Sequence, residues 1–170
     1  YVLRALALYI GLEEHYFDKW VANGNSILRP IHYPPITEEP KGAVRAGEHG
    51  DINLITLLMG ASSGGLQVKR KDGVWIDAIP EEDELVINVG DMLERLTNNK
   101  LRSTIHRVVN PPREEWDKPR YSIPFFMHPR SDMPLNCLPE CIDEHNPKAY
   151  TDITAGEFLN QRLIEIGLKK

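Results

Sequence analysis

The sequence predicts a mainly β protein, with an antiparallel core and one helix at each end of the chain. Between residues 26 and 127 the chain consists of short apolar runs separated by turn residues, which is typical of a sandwich or barrel. The pair Asp72-Gly73 lies between two alternating runs, which is a strong signal for a β-hairpin. Helical periodicity occurs at the two termini, so a parallel α/β sheet is not expected.

The N-terminal helix is predicted over residues 1–23. Its apolar residues recur at helical spacing, at Leu3, Leu6, Ile10, Phe17 and Val21, with one turn of the stripe interrupted at Glu13-Glu14. Gly24 follows this segment and is expected to end the helix. The chain begins at Tyr1 without a Met or an N-cap residue, so we expect Tyr1 to lie inside a longer protein.

The β core is predicted over residues 26–137. Its strand-like runs are SILRPIHY, GAVRAGEHGDINLITLLM, GLQVKR, GVWIDAI, ELVINVG, LRSTIHRVV and RYSIPFFM. A second helix is predicted over residues 154–167, because Thr154 and Glu157 have capping-box spacing ahead of an apolar periodic segment. The sequence therefore predicts a single domain over residues 1–170.

Composition excludes several classes of function. The 170 residues are 41% hydrophobic and carry a formal net charge of −5, which suits one domain with its own core. The acidic balance gives no electrostatic footprint for nucleic acid or anionic membranes. No apolar run approaches the roughly 20 residues that span a bilayer. Cys137 and Cys141 form neither a disulfide framework nor a four-ligand zinc site, and such sparse thiols favour a cytoplasmic location.

Three side chains are candidates for a metal site. His49 and Asp51 flank Gly50, and in an extended strand residues i and i+2 point to the same face. An imidazole nitrogen and a carboxylate oxygen directed at one point are two ligands of a 2-His-1-carboxylate site. His106, in the run STIHRVVN, is the natural third ligand. The His-x-Asp triplet alone is weak evidence, because such triplets occur often by chance.

A candidate anion site lies near the end of the β region. Arg120 and Ser122 open the apolar run RYSIPFFM and share a strand face, so guanidinium and hydroxyl project together. A guanidinium presents a bidentate fork to a carboxylate, and the hydroxyl adds a further hydrogen bond. An arginine in such an apolar strand requires an anionic partner. That partner is either a bound ligand or a carboxylate of the protein itself.

The candidate residues follow one another in the order His49-x-Asp51, His106 and Arg120-x-Ser122. On a β-rich chain this order resembles the iron(II)- and 2-oxoglutarate-dependent oxygenases, and more narrowly their isopenicillin N synthase-like branch. Three further segments are similar to the family: LRPIHYPP, GGLQVKRKDGVWIDAIP and LVINVGDMLERLTNNKLRSTIHRVVNP. The resemblance covers roughly residues 26–127 and implies a double-stranded β-helix, or jelly roll. Members usually carry a long N-terminal region, so residues 1–170 would be the C-terminal catalytic region of a longer oxygenase.

The resemblance implies that three residues hold iron(II), namely His49, Asp51 and His106. They would leave three open positions, two for a 2-oxo acid and one for dioxygen. Arg120 and Ser122 would bind the distal carboxylate of 2-oxoglutarate, and Tyr33 would hydrogen-bond the same co-substrate. The enzyme would couple oxidative decarboxylation of 2-oxoglutarate to hydroxylation, desaturation or cyclisation of a small molecule, and ascorbate can serve as a further cofactor.

Two alternative functions stay open. An iron oxidase of the same branch that needs no 2-oxoglutarate would carry the same Arg-x-Ser pair, and a non-catalytic jelly-roll module would hold a metal such as zinc. Phe126 is expected either to line the cavity or to pack in the core. Arg45 and Glu48 are either substrate contacts or solvated surface charges. Neither the substrate nor the oligomeric state follows from these residues.

Overall fold

The computed structural model describes residues 1–81 and 83–169, and within them the chain forms ten β-strands and four α-helices. The strands are β1 (Ile27–Leu28), β2 (Ile31–Tyr33), β3 (Ala46–His49), β4 (Ile55–Met59), β5 (Leu66–Lys69), β6 (Trp75–Asp77), β7 (Leu85–Val89), β8 (His106–Val108), β9 (Arg120–Ser122) and β10 (Pro124–Met127). The helices are α1 (Val2–Ile10), α2 (Asp18–Val21), α3 (Asp91–Leu96) and α4 (Ala155–Glu165). Short 3₁₀ helices cover Arg113–Glu115 and Pro139–Cys141.

All strand pairs are antiparallel, and they form two four-stranded sheets and one separate pair. The first sheet has the order β1-β10-β4-β7, the second β3-β8-β5-β6, and β2 pairs with β9. Both sheets and the β2–β9 pair contribute side chains to one central cavity, which is the arrangement of a jelly roll. The predicted hairpin is confirmed, since β5 pairs with β6 and Gly73 takes the positive φ of 84° that its turn requires.

Three of the predicted strand runs each divide into two strands, and one of them, GAVRAGEHGDINLITLLM, gives β3 and β4. The run SILRPIHY gives β1 and β2, which belong to different pairings, because Pro30 between them has no N–H to donate. The run RYSIPFFM likewise gives β9 and β10. The predicted core extended to residue 137, but the strands end at Met127. Beyond it the chain adds buried apolar side chains to the core, at Met133, Leu135 and Leu138.

The prediction of one helix over residues 1–23 is wrong. The helix α1 ends at Gly11, whose φ of 97° places it in the left-handed region that favours glycine. The backbone N–H groups of Gly11 and Leu12 both donate to the carbonyl of Ala7, which closes the helix end. Only four residues, in α2, return to helix before the β region. Phe17 in the connecting segment is nevertheless fully buried in the core.

The sequence prediction also missed α3, a six-residue helix between β7 and β8. Six residues are too few to show a helical period, although three of them pack into the core, namely Met92, Leu93 and Leu96. The helix α4 begins with the expected capping box: Thr154 N donates to Glu157 Oε2 at 2.9 Å, and Glu157 N donates to Thr154 Oγ1 at 3.3 Å. No described helix has the length and apolar character needed to cross a membrane.

The start of α3 fixes the backbone of the segment between β3 and β4. The N–H of Gly90 donates to Leu54 O at 2.9 Å, and that of Asp91 donates to Asp51 O at 2.7 Å. A Cβ added to Gly90 would lie 2.3 Å from the carbonyl oxygen of Asn53, which is backbone and cannot rotate away. Close packing at Gly90 therefore positions the segment that carries Asp51.

We predict that Gly90→Ala lowers the free energy of unfolding by about 1–3 kcal/mol, because a buried methyl group would overlap backbone. Gly64→Ala is the matched control, since a Cβ there meets no atom within 4 Å. Urea unfolding of both variants measures the difference. Equal stability of the two variants would contradict the packing described for Gly90.

Candidate active site

A cavity of about 270 Å³ lies between the sheets. All six residues singled out in the sequence line it: Tyr33, His49, Asp51, His106, Arg120 and Ser122. The structure thus brings together side chains from β2, β3, β8, β9 and the segment before β4. Metal-ligand candidates and the candidate anion site share one cavity.

Three potential metal ligands converge at one point of this cavity. His49 and His106 are directly paired across β3 and β8, and their ring centroids are 4.4 Å apart. The Nε2 atom of His106 lies 3.8 Å from Oδ1 of Asp51. One ligand atom from each of the three residues lies within 4.8 Å of the others, so a single ion fits between them. Two imidazoles and one carboxylate match the donor set of a non-haem iron(II) site.

Backbone carbonyls fix the orientation of both histidine rings. Nδ1 of His49 lies 2.8 Å from the carbonyl oxygen of Gly47, and Nδ1 of His106 lies 2.9 Å from that of Thr104. A carbonyl oxygen only accepts hydrogen bonds, so each Nδ1 carries the proton and donates. Each Nε2 is then left with its lone pair free for a metal ion.

Asp51 is buried and held by two donors. Its Oδ2 accepts hydrogen bonds from Thr56 Oγ1 at 2.5 Å and from Asn88 Nδ2 at 2.8 Å. Asn53 Nδ2 donates in turn to Thr56 Oγ1 at 2.9 Å, which directs the hydroxyl proton towards Asp51. Both side-chain donors engage the same oxygen, so Oδ1 stays available as a ligand atom.

The prediction that His49 and Asp51 share one strand is wrong in detail. The strand β3 ends at His49, and Asp51 lies in the segment that leads to β4. Gly50 between them is closely packed, since a Cβ there would lie 3.0 Å from Asp91 Oδ1 and 3.0 Å from Ser103 Oγ. Asp51 is held beyond the end of β3 by the hydrogen bond that the N–H of Asp91, at the start of α3, donates to its carbonyl oxygen.

Arg120 and Ser122 share the buried face of β9, as predicted, whereas Tyr121 between them is 52% exposed. Arg120 is only 1% exposed, and its Nε donates to the carbonyl oxygens of Ser63 and Gly64 at 3.2 Å and 3.1 Å. Its Nη1 is buried and has no hydrogen-bond partner among the described residues. Among the described residues no carboxylate forms an ion pair with Arg120, so the alternative of an internal salt bridge fails there.

The surroundings of Arg120 favour binding of an anion. Burial lowers the pKa of its guanidinium, Tyr33 beside it raises that pKa by less, and the positive charge of Arg45 lowers it. Tyr33 lies directly opposite Arg120 in the β2–β9 pair, with its ring centroid 5.3 Å from the guanidinium carbon. A carboxylate in the cavity would supply the missing partner of Nη1 and offset the buried charge.

The weaker candidates divide. Phe126 and Arg45 line the cavity, whereas Glu48 lies outside it and its carboxylate is 3.2 Å from the ammonium group of Lys69.

Sequence reasoning missed Thr56 and Asn88, the two donors to Asp51. They lie opposite each other in the β4–β7 pair, so knowledge of that register would have placed both on the face of Asp51.

Comparison with known proteins identifies the family. Residues 24–129 match the sequence profile of the 2OG-Fe(II) oxygenase superfamily. A crystal structure of a 2OG-Fe(II) oxygenase family protein from Caulobacter crescentus is 55% identical, with a TM-score of 0.90 over 97% of this chain and 53% of that one. A full-length protein from Neurospora crassa, crystallised in complex with alpha-KG and thymine, is 44% identical, with a TM-score of 0.87 over 97% and 51%. These structures confirm the predicted jelly roll.

Curated relatives give the same result at the level of sequence. The 2-oxoglutarate-Fe(II) type oxidoreductase hxnY of Emericella nidulans is 37% identical over 161 residues, which are 93% of this chain and 45% of hxnY. The chain therefore spans about half the length of the relatives it matches. Iron(II) and 2-oxoglutarate, predicted as cofactors, are those that give the family its name, and the His-Asp-His group fits iron. The chain belongs to the 2OG-Fe(II) oxygenase superfamily.

Proposed function

We propose that the chain is the catalytic region of an iron(II)- and 2-oxoglutarate-dependent dioxygenase that oxidises a small molecule. The observation that carries this proposal is the buried Arg120, with an unpaired Nη1, in the same cavity as the His-Asp-His group. Iron(II), when bound, supplies dioxygen activation coupled to the oxidative decarboxylation of 2-oxoglutarate. The protein contributes placement of the reactants and exclusion of water.

The metal ligands in this proposal are His49, Asp51 and His106. Carbonyl acceptors hold the two imidazoles in the tautomer that leaves Nε2 free, and the donors Thr56 and Asn88 keep the Asp51 carboxylate oriented. Three protein ligands leave further coordination positions open to co-substrate and dioxygen. The chain thus preorganises the ligands before an ion arrives.

Arg120, Ser122 and Tyr33 bind 2-oxoglutarate in this proposal. The guanidinium takes the distal carboxylate through Nη1, and the hydroxyl of Ser122 on the same strand face adds a hydrogen bond. Apolar side chains such as Leu66, Val108 and Phe126 line the rest of the cavity and limit the access of water. The co-substrate is thereby held in one orientation between the anion site and the metal ligands.

The anion site separates this proposal from a non-catalytic metal-binding module, because a module of that kind has no use for an unpaired buried arginine. An iron oxidase of the same branch that needs no 2-oxoglutarate is the second candidate, since it would use the same Arg-x-Ser pair for another carboxylate. The Neurospora crassa structure with alpha-KG and thymine, at 44% identity, favours the first candidate.

The same proposal extends to the type of reaction, the branch of the family and the cellular location. The small-molecule substrate undergoes hydroxylation, desaturation or cyclisation. The motif order favours the isopenicillin N synthase-like branch, and coverage of about half of each relative favours a C-terminal catalytic region within a longer protein. Two free cysteines, both buried, favour a cytoplasmic location.

With iron(II), dioxygen and 2-oxoglutarate present, we predict release of succinate, and we predict that a metal chelator stops it. Succinate is the direct product of 2-oxoglutarate decarboxylation and is measured by chromatography or a coupled assay. Dioxygen consumption that is unaffected by 2-oxoglutarate would instead support the second candidate. Metal binding without turnover of any tested substrate would support the module.

We predict that a substitution at the anion site and a substitution at the metal site impair the binding of different ligands. Arg120→Gln weakens 2-oxoglutarate binding by about 30-fold or more, because a charge-assisted pair in a buried site contributes about 2–5 kcal/mol. The affinity of the Arg120→Gln variant for Mn²⁺ changes little. His106→Ala abolishes Mn²⁺ binding. Calorimetric titration of each variant with both ligands gives the comparison, and loss of metal binding in Arg120→Gln would contradict the assigned roles.

Thr56→Val tests the donors to Asp51. Loss of the hydroxyl removes one of two hydrogen bonds to Oδ2, so we expect divalent-metal affinity to fall about 10–100-fold. Thr37→Val, at an exposed position outside the cavity, is the control. Unchanged metal affinity in Thr56→Val would show that the hydroxyl does not orient the ligand.

A further inference from the structure

A second guanidinium, that of Arg45, lies in the cavity beside the proposed co-substrate site. Arg45 directly precedes β3, the strand that ends at the metal-ligand candidate His49. Its guanidinium carbon is 5.9 Å from the ring centroid of Tyr33, and that of Arg120 is 5.3 Å from the same centroid. Two cations thus flank one tyrosine ring that lines the cavity.

The guanidinium of Arg45 makes few hydrogen bonds to the protein. Its Nε is buried and has no hydrogen-bond partner, and its Nη2 makes one long hydrogen bond, 3.3 Å, to the carbonyl oxygen of Lys118. Within the described part of the chain no carboxylate forms an ion pair with it. Arg45 is half-buried, and this partial burial lowers the pKa of its guanidinium, so an anionic partner in the cavity would stabilise the charge.

The residues that line the cavity carry more positive than negative charge, which favours the binding of another anion. Its described lining holds three arginines, Arg29, Arg45 and Arg120, and a single carboxylate, Asp51. Asp51 is engaged by Thr56 and Asn88 and assigned to the metal. The cavity is therefore cationic even though the chain carries a net charge of −5.

The co-substrate does not supply a partner for Arg45. 2-Oxoglutarate has two carboxylates, and the proposed function assigns one to the metal and the other to Arg120. A carboxylate that pairs with Arg45 has to belong to a different molecule. Since Arg45 lines the same cavity as the metal ligands, that molecule would lie beside the reacting centre.

We propose that Arg45 binds a carboxylate of the primary substrate, so that this enzyme oxidises a small carboxylic acid. The inference rests on the proposed function. A guanidinium recognises a carboxylate through paired, charge-assisted hydrogen bonds, whereas a neutral amide of the same shape provides no charge and only one carbonyl oxygen. The residue therefore determines specificity for acids over their neutral analogues.

The test uses pairs of probes that differ only in this group: phenylacetate with phenylacetamide, and hexanoate with hexanamide. Calorimetric titration is performed on the full chain saturated with Mn²⁺ and 2-oxoglutarate, so that no turnover occurs. We expect at least one acid to bind about tenfold or more tightly than its amide, as one buried charge-assisted pair provides. Arg45→Gln brings that ratio close to one, and Arg45→Lys retains part of it.

Arg113→Gln is the matched control, because Arg113 is exposed and lies outside the cavity. Arg45→Gln is expected to leave the affinity for 2-oxoglutarate within about twofold of the parent value, which also shows that its cavity is folded. Failure of 2-oxoglutarate to bind the parent protein would count against the proposed function instead.

Three outcomes overturn the role of Arg45 while leaving the proposed function intact. One is that no acid binds more tightly than its amide to the parent protein. Another is that Arg45→Gln keeps the full preference for the acid. The third is that Arg45→Gln weakens 2-oxoglutarate binding as strongly as Arg120→Gln does, which would assign Arg45 to the co-substrate.

Discussion

In the antiparallel pair β3–β8 His49 lies opposite His106, and in the pair β2–β9 Tyr33 lies opposite Arg120. Both parts of the active site depend on these two registers. A slip of one residue would turn every side chain of a strand to the other face and separate the metal ligands from one another. The register of β8 is also fixed by its pairing with β5, where the buried residues Leu66 and Val108 lie opposite each other. Packing of these two side chains thereby fixes the position of His106 relative to His49.

The buried positive charge gives the cavity its selectivity. Exposed ion pairs on this protein, such as Lys69 with Glu48, contribute at most about 1 kcal/mol each because water competes with them. Arg120 is almost completely buried and has no carboxylate partner among the described residues, so it gains far more from an anion than a surface arginine does. An anionic co-substrate therefore offsets a charge that the described part of the protein leaves unpaired.

The parts of the fold and of the site that depend on neighbouring residues alone could be predicted from the sequence. Arg120 and Ser122 share a face because strand side chains alternate, and the capping box of α4 depends on Thr154 and Glu157 alone. What depends on distant contacts could not be predicted. Asp51 is held beyond the end of β3 by a backbone hydrogen bond from the start of α3, and its donor Asn88 is brought to it by strand pairing. The break in the N-terminal helix depends on the left-handed backbone of Gly11, and the apolar period shows it only as an interruption at Glu13 and Glu14.

The most direct test of the central claim, that one cavity holds iron and 2-oxoglutarate side by side, is a crystal structure of the protein soaked with both under anaerobic conditions. Anomalous scattering at the iron edge should give one peak about 2.0–2.2 Å from Nε2 of His49, Nε2 of His106 and a carboxylate oxygen of Asp51. The distal carboxylate of 2-oxoglutarate should lie within hydrogen-bond distance of Nη1 of Arg120. An iron peak elsewhere, or a co-substrate carboxylate that does not reach Arg120, would contradict the account.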